Sequence, residues 1–351
     1  MREIIISKNE AGQRADKFLS KYLCLAQKNF IYKMIRKKNI TLNDKKMSGN
    51  EKLAAGDSVK LFFSEETLSN FTEPEGTRAD NRMPKEQSLN FKRFVIYEDE
   101  NIILMNKPAG MLSQKAVAGD SSINEYMINY LLESGTMSKS QLSTFRPAVC
   151  NRLDRNTSGL IIGGTSLAGL QEMSLALKER TLHKYYLCIV RGIMKQSAEI
   201  RGWLVKDEKK NKVKIFPEEQ KNASYICTEY LPVASNSRYT LLEVRLVTGK
   251  PHQIRAHLSS IGHPIAGDRK YGDEQVNQQM FRNYHLKSQL LHSYRLDFRD
   301  YVARQPELKY LEGKIFFAPP DAIFQKILKE EGFDGYLEEQ RPAGFHPGGN
   351  D

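Results

Sequence analysis

Three clusters in this 351-residue chain combine residue types that can do chemistry. The first is "NRLDRNTSGL", Asn151 to Leu160, in which Arg152 and Arg155 flank Asp154. Nearby positive charge favours the ionised carboxylate. An ionised aspartate in a turn can act as a nucleophile or as an electrostatic stabiliser. The same residues also read as a salt-bridged turn of little energetic weight. Thr157 and Ser158 can bond the local backbone, and Gly159 permits a tight turn. The second cluster is "LHKYYLC", with Lys184, Tyr185 and Tyr186. In a strand the two tyrosines point to opposite faces, so only one can face a given site. The third is "VTGKPHQIRAHLSSIGHPIAGDRKYG", residues 247–272, dense in His, Arg, Lys and Gly. RNA or DNA phosphates are natural acceptors for such a set of donors. Arg255 on a short helix can also reach an aspartate elsewhere in the chain.

Other chemistries lack their signatures. No G-x-x-x-x-G-K-[ST] is present, and "GLIIGGTS" is not G-x-G-x-x-G. "NTSGL" lacks the first glycine of a nucleophile elbow. His252, His257 and His263 fit no H-E-x-x-H and read as structural or substrate-contacting groups. Cys24, Cys150, Cys188 and Cys227 are scattered, with no C-x-x-C. The expectation is a reaction that uses neither metal nor cofactor.

The net charge is +11, from 53 basic and 42 acidic residues. Residues 1–63 hold 14 Lys and Arg against 6 Asp and Glu, an excess of eight. A polyanion is the economical partner for such a segment, nucleic acid first. No apolar run reaches the length of a membrane span, and "MREIIISKNE" lacks a signal-peptide apolar region, so a cytoplasmic protein is expected.

Stepping outward to the supporting elements, "RADKFLSKYL" and "NFIYKMIRKKN" carry helical spacing, and "ITLND" and "SVKLFF" read as short strands. Lys33, Arg36 and Lys37 line the polar side of the second helix. Residues 64–90 are acidic and poor in large apolar side chains, which reads as a flexible linker. From Phe91, "FVIYEDENIILMNKP" suggests a hairpin and "SSINEYMINYLLESG" a helix between Ser122 and Gly135. "SLAGLQEMSLALKERT" and "KPHQIRAHLSSIG" read as helices; "HKYYLCIVRG", "RYTLLEVRLVTG" and "SQLLHSYRLDF" read as strands. Closely spaced strand pairs imply an α+β class with a mixed, largely antiparallel sheet over 91–327. Residues 328–351 read as a disordered tail.

The three clusters, in this order, resemble the RluA-type family of RNA pseudouridine synthases. "NRLDRNTSGL" is similar to H-R-L-D-x-x-T-S-G-L, "KYYLCIVRG" to the K-x-Y-x-A strand, and residues 248–272 to the block T-G-R-x-H-Q-I-R-x-H-L…G-H-P-I-x-G-D…Y-G. "NKPAGM" resembles the family's K-P-x-G and contains Lys107. Residues 1–63 separately resemble an S4 RNA-binding domain, an arrangement similar to the ribosomal large-subunit synthases of the C and D type.

The resemblance implies conversion of uridine in RNA to pseudouridine, without cofactor or metal, on ribosomal RNA, and a monomer is expected. It implies Asp154 as the catalytic carboxylate, either attacking C1′ or assisting base departure. It also implies Tyr186 as the residue stacked on the base, Arg255 as the partner of Asp154, and Arg152 as the residue entering the RNA. Asn151 stands where the family has histidine. Further RNA contacts are expected from Lys107, Thr157, Lys184, His252, Gln253 and His257, and from Lys28, Lys33, Arg36 and Lys37 in the N-terminal unit. Rival readings are a synthase of transfer RNA and a non-catalytic S4-type RNA-binding protein.

Overall fold

The N-terminal segment closes around its own apolar core. Strands β1 (Arg2–Ile5), β2 (Ile40–Leu42) and β3 (Ser58–Leu61) form an antiparallel sheet in the order β1-β3-β2. Helices α1 (Ala15–Tyr22) and α2 (Lys28–Arg36) bury Phe18, Leu19, Ile31 and Ile35 against Val59 and Leu61. The polar face of α2 leaves Lys28, Lys33 and Arg36 exposed, with Lys37 just beyond it.

The computed structural model describes residues 1–72, 90–117, 119–207, 212–333 and 335. It corrects the start of the expected linker. Residues 65–71 form helix α3 (Glu65–Phe71), capped by the Ser64 hydroxyl accepting from the Thr67 amide. Glu65 and Glu66 sit in its first turn, where the helix dipole favours acids. Leu68 is buried, and the Phe71 ring lies 4.3 Å from that of Phe30. Two apolar anchors and a cap outweighed an acidic composition. The rest of the expected linker, residues 73–89, lies outside the described residues.

The remaining strands are β4 (Val95–Glu98), β5 (Ile102–Lys107), β6 (Ala148–Val149), β7 (Ser158–Gly164), β8 (His183–Arg191), β9 (Ala198–Asp207), β10 (Lys212–Phe216), β11 (Ser224–Ser235), β12 (Tyr239–Leu246), β13 (Leu291–Asp297) and β14 (Ile315–Phe317). They build an 11-stranded sheet whose main path is β10-β9-β11-β12-β8-β13-β7-β5-β4. Only the β13–β7 pairing is parallel among the described strands, so the expected α+β, largely antiparallel class holds. β13 joins two halves: β8 on one side and β7 on the other.

Helices α4 (Ile123–Glu133), α5 (Lys139–Leu142), α6 (Leu167–Glu179), α7 (Gln253–Ser260), α8 (Glu274–Tyr284) and α9 (Ala322–Glu330) belong to this part, with short 3-10 helices at Asn90–Phe94 and Pro306–Leu311. Alternation along β8 separates two cores. Tyr186, Cys188 and Val190 pack with Leu153, Ile254 and Leu258, whereas Leu187 and Ile189 pack with Phe324 and Ile327. The packed structure also runs past the expected boundary at residue 327, since α9 continues to Glu330 and Phe333 is buried. Residues 336–351 of the expected tail lie outside the described residues.

Candidate active site

Asp154 sits on the turn between β6 and β7, and that turn is fastened from both sides. The Ser113 hydroxyl accepts from the Leu153 amide at 2.9 Å and donates to the Leu153 carbonyl at 2.9 Å. The Arg155 carbonyl accepts from the Gly110 amide at 2.8 Å and from Lys107 Nζ at 3.1 Å. Lys107 Nζ also donates to the carbonyls of Met111 and Pro108, at 2.8 and 3.0 Å. Lys107 is therefore wholly buried, and burial pushes its ammonium down to about 7, against the pull of the Asp154 charge.

Directly after the turn, Gly159 lies against β13 with φ +110°, and a Cβ there would sit 2.2 Å from the Ser293 carbonyl oxygen. No larger residue fits this approach, which lets β7 and β13 run side by side.

The partner of Asp154 comes from α7. Arg255 Nη1 donates to Asp154 Oδ2 at 2.8 Å. The other edge of the guanidinium makes a fork on Asp268, Nε to Oδ2 at 2.7 Å and Nη2 to Oδ1 at 2.8 Å. Asp268 is wholly buried, and its Oδ1 also accepts from the amides of Lys270 and Tyr271. Burial opposes its charge, but Arg255 and those amides hold its carboxyl below the usual range. The Tyr271 ring lies 5.1 Å from the guanidinium carbon. Its hydroxyl accepts from the Val213 amide at 2.8 Å and meets His252 Nδ1 at 2.9 Å. Arg255 thus has one free-facing edge, and Asp154 occupies it.

Tyr186 projects from β8 on the face that carries Leu153 and α7. Its hydroxyl is pushed far up, by burial first, with the Asp154 charge adding to it. Tyr185 faces the other way, with Arg295 3.7 Å above its ring. Lys184 has the same parity in β8 as Tyr186, and burial brings its ammonium down to about 8.

This is a carboxylate of 24% exposure, aimed by a buried arginine that a second carboxylate holds, with a buried tyrosine alongside. A family model described as RNA pseudouridylate synthase matches residues 101–260, a span that contains Asp154, Tyr186 and Arg255. Ribosomal large subunit pseudouridine synthase C of Vibrio vulnificus (strain CMCP6) is 30% identical over 307 residues, covering 86% of this chain and 89% of that protein. The chain belongs to the RNA pseudouridylate synthase family. The synthase C of Pasteurella multocida (strain Pm70) is likewise 30% identical, over 98% of this chain and 96% of its own length. The solved structure of human RNA pseudouridylate synthase domain containing 4 shares the fold, with a TM-score of 0.55 at 19% identity, covering 70% of this chain and 95% of that one.

The synthase uses several expected RNA contacts internally instead. Lys107 is consumed by three carbonyls. Asn151 Oδ1 accepts from the Ile162 amide at 2.8 Å, which bridges the turn to β7. The buried Thr157 hydroxyl accepts from Gln289 at 3.1 Å. Gln253 spends its amide on the Cys227 carbonyl and on Thr228, while its oxygen accepts from Thr248 and Lys250. His257 is wholly buried with Nδ1 on the Thr228 hydroxyl, and burial pushes it down to about 4. Lys107, Asn151 and Gln253 lie close enough to orphan backbone groups to satisfy them, whereas Thr157 and His257 are taken up by the side chains of Gln289 and Thr228. Arg152 is exposed, and His252 is half-buried beside Tyr271.

Asp268, Tyr271 and Ser113 are site-building residues for which residue-level reading assigned no role. The G-D and Y-G pairs within residues 247–272 were the available signal for the first two. No group of three His, Cys, Asp or Glu is placed to hold a metal ion among the described residues.

Proposed function

We propose that this synthase isomerises uridines in large-subunit ribosomal RNA, with Asp154 acting at the ribose C1′. The N1–C1′ bond breaks, the uracil turns, C5 bonds to C1′, and the C5 proton is exchanged for one on N1. Atoms and electrons balance within the nucleotide, so the reaction calls for no redox cofactor. The observation that carries the reading is the Asp154–Arg255 contact of 2.8 Å beside Tyr186. Arg255 holds the carboxylate in one orientation, and such orientation is worth several kcal/mol of barrier. Tyr186 offers its ring to the base. Its raised hydroxyl is a poor standing phenolate, so the ring is its principal asset.

The glycosidic bond of a stacked uridine is out of reach, so the nucleotide is flipped into the cleft at a cost of roughly a few kcal/mol. Exposed Arg152, two residues from Asp154, fills the place the base leaves. The ribosomal substrate is supported by the two relatives named above, and a cytoplasmic monomer is part of the same proposal. Residues 1–72 act as an S4-like RNA-binding unit through Lys28, Lys33, Arg36 and Lys37, which line one exposed stretch.

The test is an Asp154→Asn variant assayed on RNA carrying tritium at uridine C5. Tritium release falls to background while binding of the same RNA is retained. Turnover equal to wild type removes Asp154 from the mechanism. Pseudouridine mapping of ribosomal and transfer RNA, with and without the gene, identifies the substrate class.

A further inference from the structure

Beyond β12 the sheet runs to its edge through β11, β9 and β10, and α7 packs on one face of that extension. Leu204, Val213 and Ile226 are buried with Ala256 of α7 on this side. The pleat sends Arg201, Trp203 and Val205 to the opposite face. Register places Phe216 on one side of Trp203 and Tyr225 on the other, giving three aromatics across three adjacent strands. Trp203 is the only tryptophan in the chain. It meets Tyr225 nearly edge-on, with ring centroids 5.6 Å apart. Tyr225 is 41% exposed, and Trp203 and Phe216 are half-buried.

This face is continuous with the active site around one strand. The Val213 amide at the edge of β10 donates to the Tyr271 hydroxyl, and the same Tyr271 ring lies beneath Arg255. Lys212 places its ammonium 6.0 Å from that ring, at the point where one face gives way to the other. Lys212 and Lys214 are exposed. Arg201 is engaged by Glu199.

We infer that a single-stranded stretch of the substrate RNA, flanking the target uridine, crosses the β10 edge and stacks its bases on Phe216, Trp203 and Tyr225. Adjacent strands lie about 4.8 Å apart, which sets the three aromatic side chains within reach of successive splayed bases. Aromatic residues on an open sheet hold single-stranded RNA in this way without regard to base identity. Lys212 and Lys214 beside them supply the phosphate contacts that stacking alone lacks. The inference rests on the RNA-isomerase reading above, and extends the substrate footprint to the far face of the sheet.

Because Trp203 is the sole tryptophan, its fluorescence reports the contact directly. The full chain is titrated with an unmodified large-subunit ribosomal RNA transcript and, separately, with a 12-nucleotide oligouridylate. Quenching that saturates together with binding measured by filter retention is the expected result. In turnover, Trp203→Ala raises KM roughly ten-fold, the lower part of the range for one lost stacking contact, with kcat within about two-fold. Trp203→Phe restores a KM near wild type, which separates stacking from misfolding. Fluorescence unchanged through saturation, or an unchanged KM in Trp203→Ala, overturns the inference. So does a shift of sedimentation from dimer to monomer in Trp203→Ala, which assigns the face to a second copy of the chain. If the wild type isomerises no RNA, the functional reading fails first and is identified as the failure.

Discussion

At the scale of residues, Asp268 touches no reacting atom in the proposed chemistry, yet it aims Arg255. A guanidinium free to rotate presents its edges to several acceptors. Forked on Asp268 at 2.7 and 2.8 Å, it has one edge left for Asp154. An Asp268→Asn variant keeps the shape but replaces one acceptor oxygen with a donor that faces the guanidinium. We expect kcat to fall on the order of 100-fold, as for a small misplacement of a catalytic group, with KM within about two-fold. Asp268→Glu recovers part of the loss. A fall in KM and kcat together with a lowered melting temperature, not mended by glutamate, reduces Asp268 to a structural role.

The same scale shows what the sequence disclosed. Asp154 and Arg255, 101 residues apart, were paired by resemblance and meet in the structure. Arg155, adjacent to Asp154 in sequence, turns away and donates to the Gly110 carbonyl at 3.0 Å. Asn151, Thr157, Gln253 and His257 illustrate the limit. A polar side chain reads the same whether it faces solvent or a partner inside the chain, and only the fold decides.

At the scale of elements, β13 is tied to its neighbours through His292. Its Nδ1 meets the Ser158 hydroxyl at 2.8 Å, and its Nε2 meets the Ala318 carbonyl at 3.0 Å. Because a carbonyl only accepts, Nε2 carries the proton and Ser158 donates to Nδ1 in the neutral ring. Burial pushes His292 down to about 4 from the ordinary 6.5. The folded pKa is the lower one, so the unfolded chain binds more protons between those values. Stability is therefore present above pH 6.5 and is lost as pH falls toward 4, by on the order of 3 kcal/mol from this residue. Urea denaturation at pH 7, 5.5 and 4.5 measures the slope. His292→Gln should flatten it, and an identical slope in that variant excludes His292 as its source.

Elements with a strong apolar period were legible: α2, α6, β8 and β12 fall where their sequences place them. β9, β10 and β11 were not, because charged residues such as Glu199, Arg201, Lys212, Lys214 and Glu229 interrupt their apolar runs, and the β11 pairing is broken by a bulge between Pro232 and Ala234. α8 buries only Met280, so no apolar stripe announced it; its signal was the Asp273 cap on the Val276 amide.

At the scale of the whole molecule, charge and chemistry are segregated. The N-terminal unit carries an excess of eight basic residues over its first 63, and the proposed catalytic carboxylate, Asp154, lies in the other part. Removing residues 1–72, rather than 1–63, takes away a whole packed unit, because α3 belongs to it. If Lys28, Lys33, Arg36 and Lys37 each meet one phosphate, the slope of log affinity against log salt should flatten by about 3 on single-stranded RNA. Filter binding across a salt series provides the measurement. Equal slopes for the full and shortened chains sink the S4-like reading.

The position of β13 has a consequence in time. Tyr186, Ser293 and Gly159 share one line across β8, β13 and β7, so β13 is the strand that brings the two halves of the cleft into register. It begins at Leu291, after Asp154, Tyr186, Arg255 and Asp268 have all been synthesised. Such distant pairing is formed late and slowly relative to local structure. A ribosome that has just added Leu290 has made all four of these side chains without the strand that sets Tyr186 in line with Gly159.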